Sequence, residues 1–298
     1  MKQLSIIIVT YRSENDIYDC LQSVYKHCDI PQEELEVIVV DNSPESEPMF
    51  STISERFGQR VVLIHNTHNG GYGQGNNVGI QRAQAPVILI MNPDVRLMKP
   101  IFGTALNAFH QHPQLSIYGM QQMLSPTEKS HNSFICTDRI NGYWGTLLNA
   151  VCSRLNWYVP SCMFFSGSCF FVRREMLCAI GMFDESIFMY GEEADIHYRM
   201  SQRYGHDMKY NPRLCYIHLT KERELELSTL KKTLDSCICQ NEKNGQPRHV
   251  TLLHRWQSNR LQLWREWVRM KLLRKPSHAY PVLSEYDKYL KEEMQKTQ

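Results

Sequence analysis

The chain has 298 residues, 42% of them hydrophobic, and a formal net charge of +2 at pH 7. This is enough apolar material for a sizeable core, in one large domain or one domain with an extension. A charge so close to neutral does not favour a nucleic-acid partner, and we expect none. The 10 cysteines include no Cys-x-x-Cys pair, which argues against a zinc knuckle or a thioredoxin motif.

The amino-terminal residues predict a cytoplasmic protein. The apolar run at residues 6–9 is short and no small-residue cleavage site follows it, so we expect no signal peptide and reduced cysteines. No apolar stretch reaches the roughly 18 to 20 residues that span a bilayer. Any membrane association is therefore expected to be peripheral, on the inner face of the plasma membrane.

Short apolar runs alternate with helical patterns through the first 91 residues. Strands are predicted at residues 4–9, 35–40, 61–65 and 86–91. Helices are predicted at residues 13–27, with Ser13 as the N-cap, and at residues 77–84. A further helix is predicted after the polar turn that follows the second strand, and it ends at about residue 57. This alternation predicts an α/β fold, with a mostly parallel sheet flanked by helices. Ligands bind such sheets beyond the carboxyl ends of the strands, where Thr10, Tyr11, Asp41 and the segment 92–94 lie.

The rest of the chain has a weaker pattern. Residues 115–165 look irregular, and residues 163–172 predict a strand pair or a strand with a glycine bend. A helix is predicted from about Glu192, and further helices at 221–238 and 250–273, with a short helix or frayed end at 276–298. We predict a catalytic domain over residues 1–220 and a helical extension over residues 221–298.

Two residues are candidates for a metal site. Asp94 follows a buried strand behind a rigid proline, and Mg²⁺ or Mn²⁺ usually takes one or two carboxylates beside substrate phosphates. His218 ends a later apolar run and could complete the same shell. The alternatives are that Asp94 caps a turn and that His218 is structural.

Two further segments are candidates for binding and catalysis. Residues 69–79 hold five glycines and lead into a helix, so their backbone N–H groups could hold an anion; the alternative is a flexible surface loop. Glu192, Glu193 and Asp195 open a helix, where the helix dipole by itself favours carboxylates. The functional interpretation makes one of them a general base that deprotonates a hydroxyl nucleophile.

Taken in order, several segments resemble the family 2 glycosyltransferases, especially their rhamnosyltransferase-like branch. The matching segments span residues 3–220 and are IIIVTYRSE, VIVVDNS, NGGYGQGNNVGI, LIMNPDV, FFSGSCFFVRRE, GMFDESIFMYGEEADIHYRM and the later His218. The resemblance implies a GT-A fold, a nucleotide-sugar donor such as dTDP-rhamnose, a divalent metal and inversion at the anomeric carbon. It also implies a glycan acceptor, which we expect to be lipid-linked.

The resemblance assigns roles by position. It makes Glu193 the catalytic base, Asp195 a group that orients the acceptor or supports the base, and Asp94 and His218 the metal ligands. Two positions depart from the family pattern, because Asn92 replaces the first acid of a DXD-like motif and Glu193 replaces an aspartate. The residues implied in donor binding are Thr10, Tyr11, Asp41, Asn69, Gly70, Asn76 and Asn92.

Two other functions compete with this interpretation. The departures at Asn92 and Glu193 would suit a catalytically idle sugar-nucleotide-binding or partner protein with the same fold. A nucleotidyltransferase should carry a Gly-rich loop with a basic residue directly after the first strand, where this chain has Thr10-Tyr11-Arg12. We therefore rank the nucleotidyltransferase last.

Residues 254–275 carry seven Lys or Arg, one Glu and several tryptophans at helical spacing. A basic amphipathic helix with tryptophans is typical of a membrane-surface element. The alternative is an ordinary helix that docks its tryptophan stripe on the catalytic domain.

Overall fold

The computed structural model describes residues 1–140, 142–219 and 225–297. The strands are β1 (Leu4–Thr10), β2 (Leu35–Asp41), β3 (Val61–His65), β4 (Val87–Met91), β5 (Val95–Leu97), β6 (Ile117–Met123), β7 (Phe134–Cys136), β8 (Met163–Phe165), β9 (Cys169–Arg173) and β10 (Met208–His218). The helices are α1 (Glu14–Lys26), α2 (Glu47–Phe57), α3 (Tyr72–Arg82), α4 (Phe102–Gln111), α5 (Gly142–Leu155), α6 (Arg174–Ala179), α7 (Glu192–Tyr204), α8 (Leu227–Lys243), α9 (Arg248–Lys271) and α10 (Ala279–Gln295).

The chain divides into two compact units. The first comprises Met1–Phe134, Phe165–Phe188 and the described part of 192–220. The second comprises Ile135–Phe164, Met189–Gly191 and the described part of 221–298. Residues 135–164 therefore group with the C-terminal helices, because α5 packs on α9.

The first unit contains an eight-stranded sheet in the order β3-β2-β1-β4-β9-β6-β10-β5. Strands β3, β2, β1 and β4 run parallel to one another, whereas β9 is antiparallel to both of its neighbours and β5 is antiparallel to β10. Every residue of β1, β2 and β4 is buried, as expected for strands covered on both faces. The predicted α/β fold class, with a helical C-terminal region, is confirmed.

Several elements differ from their predicted limits. Helix α3 begins at Tyr72 rather than near residue 77, and three of its glycines are buried within it. A Cβ atom at Gly75 would lie 2.7 Å from Val9 and one at Gly79 would lie 2.5 Å from Ile7, so these glycines allow the helix to pack closely on β1. The segment is therefore mostly helix, and the alternative of a flexible loop is wrong.

The segment 115–165 is more regular than the sequence pattern indicates. It contains the wholly buried strand β6 and the helix α5. Hydrophobic periodicity does not predict either element. Strand β6 includes a glycine and two glutamines, and α5 does not place most of its apolar residues on its buried face.

The second unit consists mainly of α5, α8, α9 and α10. Its core contains Leu234, Ile238, Leu252, Tyr286 and Leu290, with Trp256 packed against them. Arg255 of α9 donates to Asp138 at 2.7 Å and also contacts the thiol of Cys237. In the part of the chain that the structure describes, no helix combines the length and the apolar character that crossing a membrane requires.

Candidate active site

Asp41, at the end of β2, is enclosed by hydroxyl groups. Its Oδ1 accepts hydrogen bonds from Thr10 at 2.8 Å and from Ser43 at 2.8 Å, and its Oδ2 accepts one from Ser46 at 2.6 Å. The side chains of Thr10 and Asp41 are both predicted to contact the donor, yet each residue is only 1% exposed. A direct contact between Asp41 and a ligand therefore requires one of these hydroxyl groups to turn away.

The other predicted donor-binding residues lie around the same strand ends. Tyr11 is 49% exposed, and Arg12 beside it adopts a left-handed backbone with φ of 51°. The Asn69 side chain accepts from the backbone N–H of Gly71, and the side-chain amide of Asn76 donates to the carbonyl of Tyr72. The Oδ1 atom of Asn76 is buried and has no hydrogen-bond partner among the described residues.

Gly70 lies directly before the N-cap of α3. A Cβ atom built on it would lie 2.7 Å from Cγ of Gln74, the flexible side chain one turn into the helix. A small substituent at this position could therefore be accommodated by movement of Gln74, in contrast to the glycines that face β1.

Asp94 and His218 lie together, although far apart in sequence. Asp94 precedes β5 and His218 ends β10, and the antiparallel pairing of these strands sets His218 opposite Val95. The Nε2 atom of His218 is 3.3 Å from Oδ1 of Asp94. That oxygen is buried and accepts no hydrogen bond from the part of the chain that the structure describes. The contact with His218 becomes an ion pair only if the imidazole is protonated.

Asn92 has the same character as Asp94. Its backbone N–H donates to the carbonyl of Ser168 at 2.8 Å, but its side-chain Oδ1 is buried and has no hydrogen-bond partner in the described ranges. The Asp94 oxygen lies beside an imidazole nitrogen, and side-chain oxygens of this kind are suitable ligands for a hard divalent cation.

The residues at this position would supply only part of a metal ion's ligands, with the rest coming from the substrate and water. Within residues 1–140, 142–219 and 225–297, no group of three or more His, Cys, Asp or Glu side chains is arranged to hold an ion by itself. Mg²⁺ and Mn²⁺ commonly take one or two protein carboxylates and complete their shell with substrate phosphates and water. One carboxylate and one imidazole, from Asp94 and His218, could form the protein part of such a shell.

Glu193 lies over the turn that joins β8 and β9. A Cβ atom on Gly167 would lie 3.3 Å from both Cδ and Oε1 of Glu193, so an alanine there would require the carboxylate to shift by a few tenths of an ångström. The Tyr72 hydroxyl donates to the carbonyl of Gly167 at 2.8 Å. Burial raises the pKa of Tyr72 well above its usual value, and the nearby charges of Glu193 and Glu192 raise this pKa further.

The turn 166–168 connects the two halves of the candidate site. Its Ser168 carbonyl accepts from the N–H of Asn92 beside the Asp94 pair, and its Gly167 lies under Glu193. The Ser168 hydroxyl also hydrogen-bonds Tyr216 of β10 at 2.9 Å. A single short turn thus fixes the distance between the candidate metal ligands and the candidate base.

The Asp195 carboxylate is already engaged by another side chain of the protein. It is buried and paired with Arg199, whose Nε donates to it at 2.7 Å. Arg199 also donates to the carbonyls of Ile180 and Met182, at 2.6 and 2.7 Å. The pair therefore fastens the first turn of α7 to the segment that precedes it.

His197 fixes the backbone of Glu193. Its Nδ1 lies 2.7 Å from the Glu193 carbonyl, and its Nε2 accepts the N–H of Phe165 at 3.1 Å. This arrangement requires a neutral ring that carries its proton on Nδ1. Burial lowers the pKa of His197 from 6.5 to about 4, although the hydrogen bond to Glu193 opposes that shift.

Sequence reasoning did not single out Tyr72, Gly167, Ser168 or His197. The only signal for the turn was the Ser-Gly-Ser triplet between two aromatic pairs, which indicated a bend without a function. His197 follows Glu193 by one helical turn, but a histidine at that spacing is usually an ordinary part of a helix.

A family comparison covers most of the first unit. The family model described as Glycosyl transferase family 2 matches residues 5–181, which is more than half of the chain. This range includes all of β1 except Leu4, the turn 166–168 and the segment 92–94.

Two relatives match over part of their length. The low-salt glycan biosynthesis hexosyltransferase Agl10 of Haloferax volcanii is 30% identical over 206 residues, covering 67% of this chain and 62% of Agl10. The poly(ribitol-phosphate) beta-N-acetylglucosaminyltransferase TarS of Staphylococcus aureus is 30% identical over 115 residues, covering 38% of this chain and 20% of TarS. The chain thus spans less than two thirds of either relative.

A solved structure shares the fold. The mannosyltransferase PcManGT of Pyrobaculum calidifontis, in complex with GDP-Man and Mn²⁺, superposes with a TM-score of 0.56 at 17% identity. The match covers 97% of this chain and 69% of PcManGT. At this level of identity the similarity concerns the fold.

Proposed function

The chain belongs to glycosyl transferase family 2, and we propose that it is an inverting enzyme that transfers a hexose from a nucleoside-diphosphate sugar to a hydroxyl group of a glycan. The observation that carries the proposal is the close approach of Asp94 and His218 at the carboxyl edge of the sheet. Asn92 of the same segment adds a buried side-chain oxygen that accepts no hydrogen bond from the described residues. Such an edge is where an α/β sheet binds its ligand.

The proposed donor site comprises Thr10, Tyr11, Asp41, Asn69, Gly70, Asn76 and Asn92. Asp94 and His218 would hold a divalent metal together with the donor diphosphate, as the Mn²⁺ and GDP-Man bound to PcManGT suggest. When bound, such a cation supplies positive charge that stabilises the leaving nucleoside diphosphate. Tyr11, which follows Thr10 of the buried hydroxyl network, is exposed at the surface, where it can meet the base or the ribose.

The proposed catalytic step is a single displacement. Glu193 accepts the proton of the acceptor hydroxyl group while the oxygen of that group attacks the anomeric carbon from the face opposite the leaving diphosphate. A positioned base of this kind contributes about 10² to 10⁴ in rate. His197 hydrogen-bonds the backbone of Glu193, Gly167 leaves room for its carboxylate, and Asp195 acts through Arg199 as a positioning residue.

The finer substrate assignment rests on the sequence resemblance. We take dTDP-rhamnose as the donor from the rhamnosyltransferase-like motifs, and a lipid-linked glycan in bacterial surface polysaccharide synthesis as the acceptor. The names of Agl10 and TarS, both concerned with glycan synthesis, support the general role.

A lipid-linked acceptor would place the enzyme at the inner face of the plasma membrane. Trp264 and Trp267 of α9 are exposed among basic side chains, which supports a membrane contact through residues 254–275. The C-terminal helices would then form an accessory region beyond a catalytic domain over residues 1–220. Trp256, by contrast, belongs to the core of the second unit.

The test is a donor panel. The purified chain is heated with UDP-, dTDP- and GDP-sugars, with and without Mn²⁺ or Mg²⁺, and donor hydrolysis or transfer is followed in parallel. We expect one donor to raise the melting temperature only with metal, Asp94→Ala to abolish this rise, and Glu193→Gln to bind donor without turnover. Glu175→Gln, an exposed glutamate in the first turn of α6, is the control that should behave as wild type.

The principal alternative is an idle member of the fold that binds a sugar nucleotide or a partner. The departures at Asn92 and Glu193 are what favour it. If a donor binds with metal but neither transfer nor hydrolysis occurs, the idle protein is the better description. If no nucleotide sugar binds under any metal condition, the proposed site residues are wrong as well.

A further inference from the structure

Helix α5 of the second unit is amphipathic, but most of its large apolar side chains face outward and its small or polar residues face inward. Its buried residues are Gly142, Gly145, Cys152 and Ser153, which are small or polar. Four of its large apolar residues, Trp144, Leu147, Val151 and Leu155, are exposed, with Trp144 at 70% and Leu155 at 66%, whereas Leu148 is partly buried. Their spacing of three or four residues places them in one stripe along the outer face of the helix.

Contacts on the inner face fix this orientation. The backbone N–H of Gly142 donates to Gln257 at 3.1 Å, and the hydroxyl of Thr146 donates to Ser258 at 2.9 Å. A Cβ atom on Gly142 would lie 1.9 Å from the carbonyl oxygen of His254, so this turn of α5 tolerates only glycine. The helix therefore cannot rotate its apolar stripe inward without losing its packing on α9.

The stripe continues past the end of the helix. Asn156 adopts a left-handed backbone with φ of 54°, and the N–H of Trp157 donates back to the carbonyl of Cys152 at 2.9 Å. This closing turn brings Trp157, which is 64% exposed, next to the last turn of α5. We call Trp144, Leu147, Val151, Leu155 and Trp157 the α5 stripe.

A contiguous apolar patch of this kind usually marks a contact surface. The charges around it favour an anionic partner, since residues 139–162 contain no Asp or Glu, whereas Arg139 and Arg154 are exposed at its margins. Tryptophans at both ends of an apolar stripe are typical of a helix that lies in the interface of a bilayer. The same unit carries seven further Lys or Arg in residues 254–275 against the single Glu266.

We propose that the α5 stripe binds the surface of a bilayer that contains anionic phospholipid, with its apolar side chains in the interfacial region and Arg139 and Arg154 at the headgroups. The α5 stripe includes none of the tryptophans of α9. The proposal does not depend on the transferase assignment, because none of the residues of the α5 stripe belongs to the candidate active site.

The experiment is flotation of the full chain with vesicles of phosphatidylcholine, with or without phosphatidylglycerol. We expect the wild type to float only with the anionic vesicles. The variant Trp144→Ser with Leu155→Ser should bind them about tenfold more weakly or worse, because each buried side chain of this size contributes at least that factor. Leu124→Ser, an exposed leucine of the first unit, is the matched control and should float as the wild type does.

Two measurements keep the test decisive. Thermal melting, with and without nucleotide sugar, should be the same for the α5 variant and the wild type, since the altered side chains are exposed. The variant Trp264→Ser with Trp267→Ser reports the contribution of α9 separately.

Three outcomes would overturn the proposal. The first is wild-type flotation of the α5 variant, and the second is loss of flotation only in the α9 variant. The third is a wild type that ignores vesicles and forms a dimer that the α5 variant cannot form, because a second copy of the chain would then cover the stripe.

Discussion

The carboxyl ends of β2 and β4 carry an aspartate each, but in opposite states. Asp41 after β2 accepts hydrogen bonds from Thr10, Ser43 and Ser46, and both of its oxygens are engaged. Asp94 after β4 has a buried Oδ1 that makes no hydrogen bond within the described residues, and a histidine nitrogen lies 3.3 Å from it. A carboxylate whose oxygens are bonded within the protein stabilises the fold, whereas one with an unused buried oxygen is suited to a ligand.

This difference separates carboxylates that are engaged within the protein from one whose buried oxygen remains available to a ligand. Asp195 belongs with Asp41, because Arg199 engages it. Asn92 belongs with Asp94, because its side-chain oxygen also lacks a donor. The comparison yields expectations that mutation can test, from the largest effect to the smallest.

Replacement of Asp94 by alanine should have the largest effect, and on activity alone. We expect transfer to fall about 10³-fold and the metal-dependent donor shift to vanish, because the carboxylate that faces the diphosphate is lost. The free energy of unfolding without ligand should change by less than about 0.5 kcal/mol, since no hydrogen bond of Oδ1 is broken. Asp19→Ala, which removes an exposed carboxylate of α1, serves as the control for transfer and unfolding. A large loss of stability in Asp94→Ala would contradict the comparison.

Replacement of Asp41 by alanine should act mainly on stability. Three buried hydroxyl groups would lose their acceptor, at a cost of about 3 kcal/mol in the free energy of unfolding. Denaturant titration measures this, with Asp94→Ala in the same assay as the matched aspartate. If Asp41→Ala unfolds like the wild type, the hydroxyl network does not stabilise the sheet and the contrast between the two strand ends fails.

The neutral His197 predicts a pH dependence of stability. Its pKa is lowered from 6.5 to about 4 by burial, so the folded state binds fewer protons than the unfolded state between these values. This contribution is fully present above pH 6.5 and is lost as the pH falls toward 4, by about 3 kcal/mol in total. Unfolding measured from pH 7.5 to 4 should be less pH-dependent in His197→Gln than in the wild type. His249→Gln controls for the loss of a histidine elsewhere, and equal slopes in His197→Gln and the wild type would show that the ring is not held neutral.

Conversion of Asn92 to aspartate should have the smallest effect, and here we expect metal binding to become tighter. A second acid beside Asp94 adds a hard ligand, so the metal concentration that gives half of the donor shift should fall about threefold. The apoprotein should melt at a slightly lower temperature, because two carboxylates then lie close together. Asn107→Asp, at an exposed position of α4, is the control. An unchanged metal requirement would place Asn92 outside the metal site.

Several strands of the first unit could be predicted because each one corresponds to a short apolar run in the sequence. Residues 4–9, 35–40 and 61–65 are apolar runs that the structure extends by no more than one residue. The order of β9 and β6 in the sheet could not be predicted, because strand pairing depends on contacts across the whole chain. Helix α5 was missed because its apolar side chains face outward, whereas periodicity arguments assume that they face the core.

The sequence by itself determined that carboxylates follow β2 and β4 and that Glu193 opens a helix, since each of these facts depends on neighbouring residues. It could not distinguish Asp41 from Asp94, because both follow an apolar strand. Only the tertiary structure supplied Thr10 and Ser46 to the first and His218 to the second. The state of a carboxylate depends on which donors the fold brings to it, and those donors come from other elements, some of them distant in the chain.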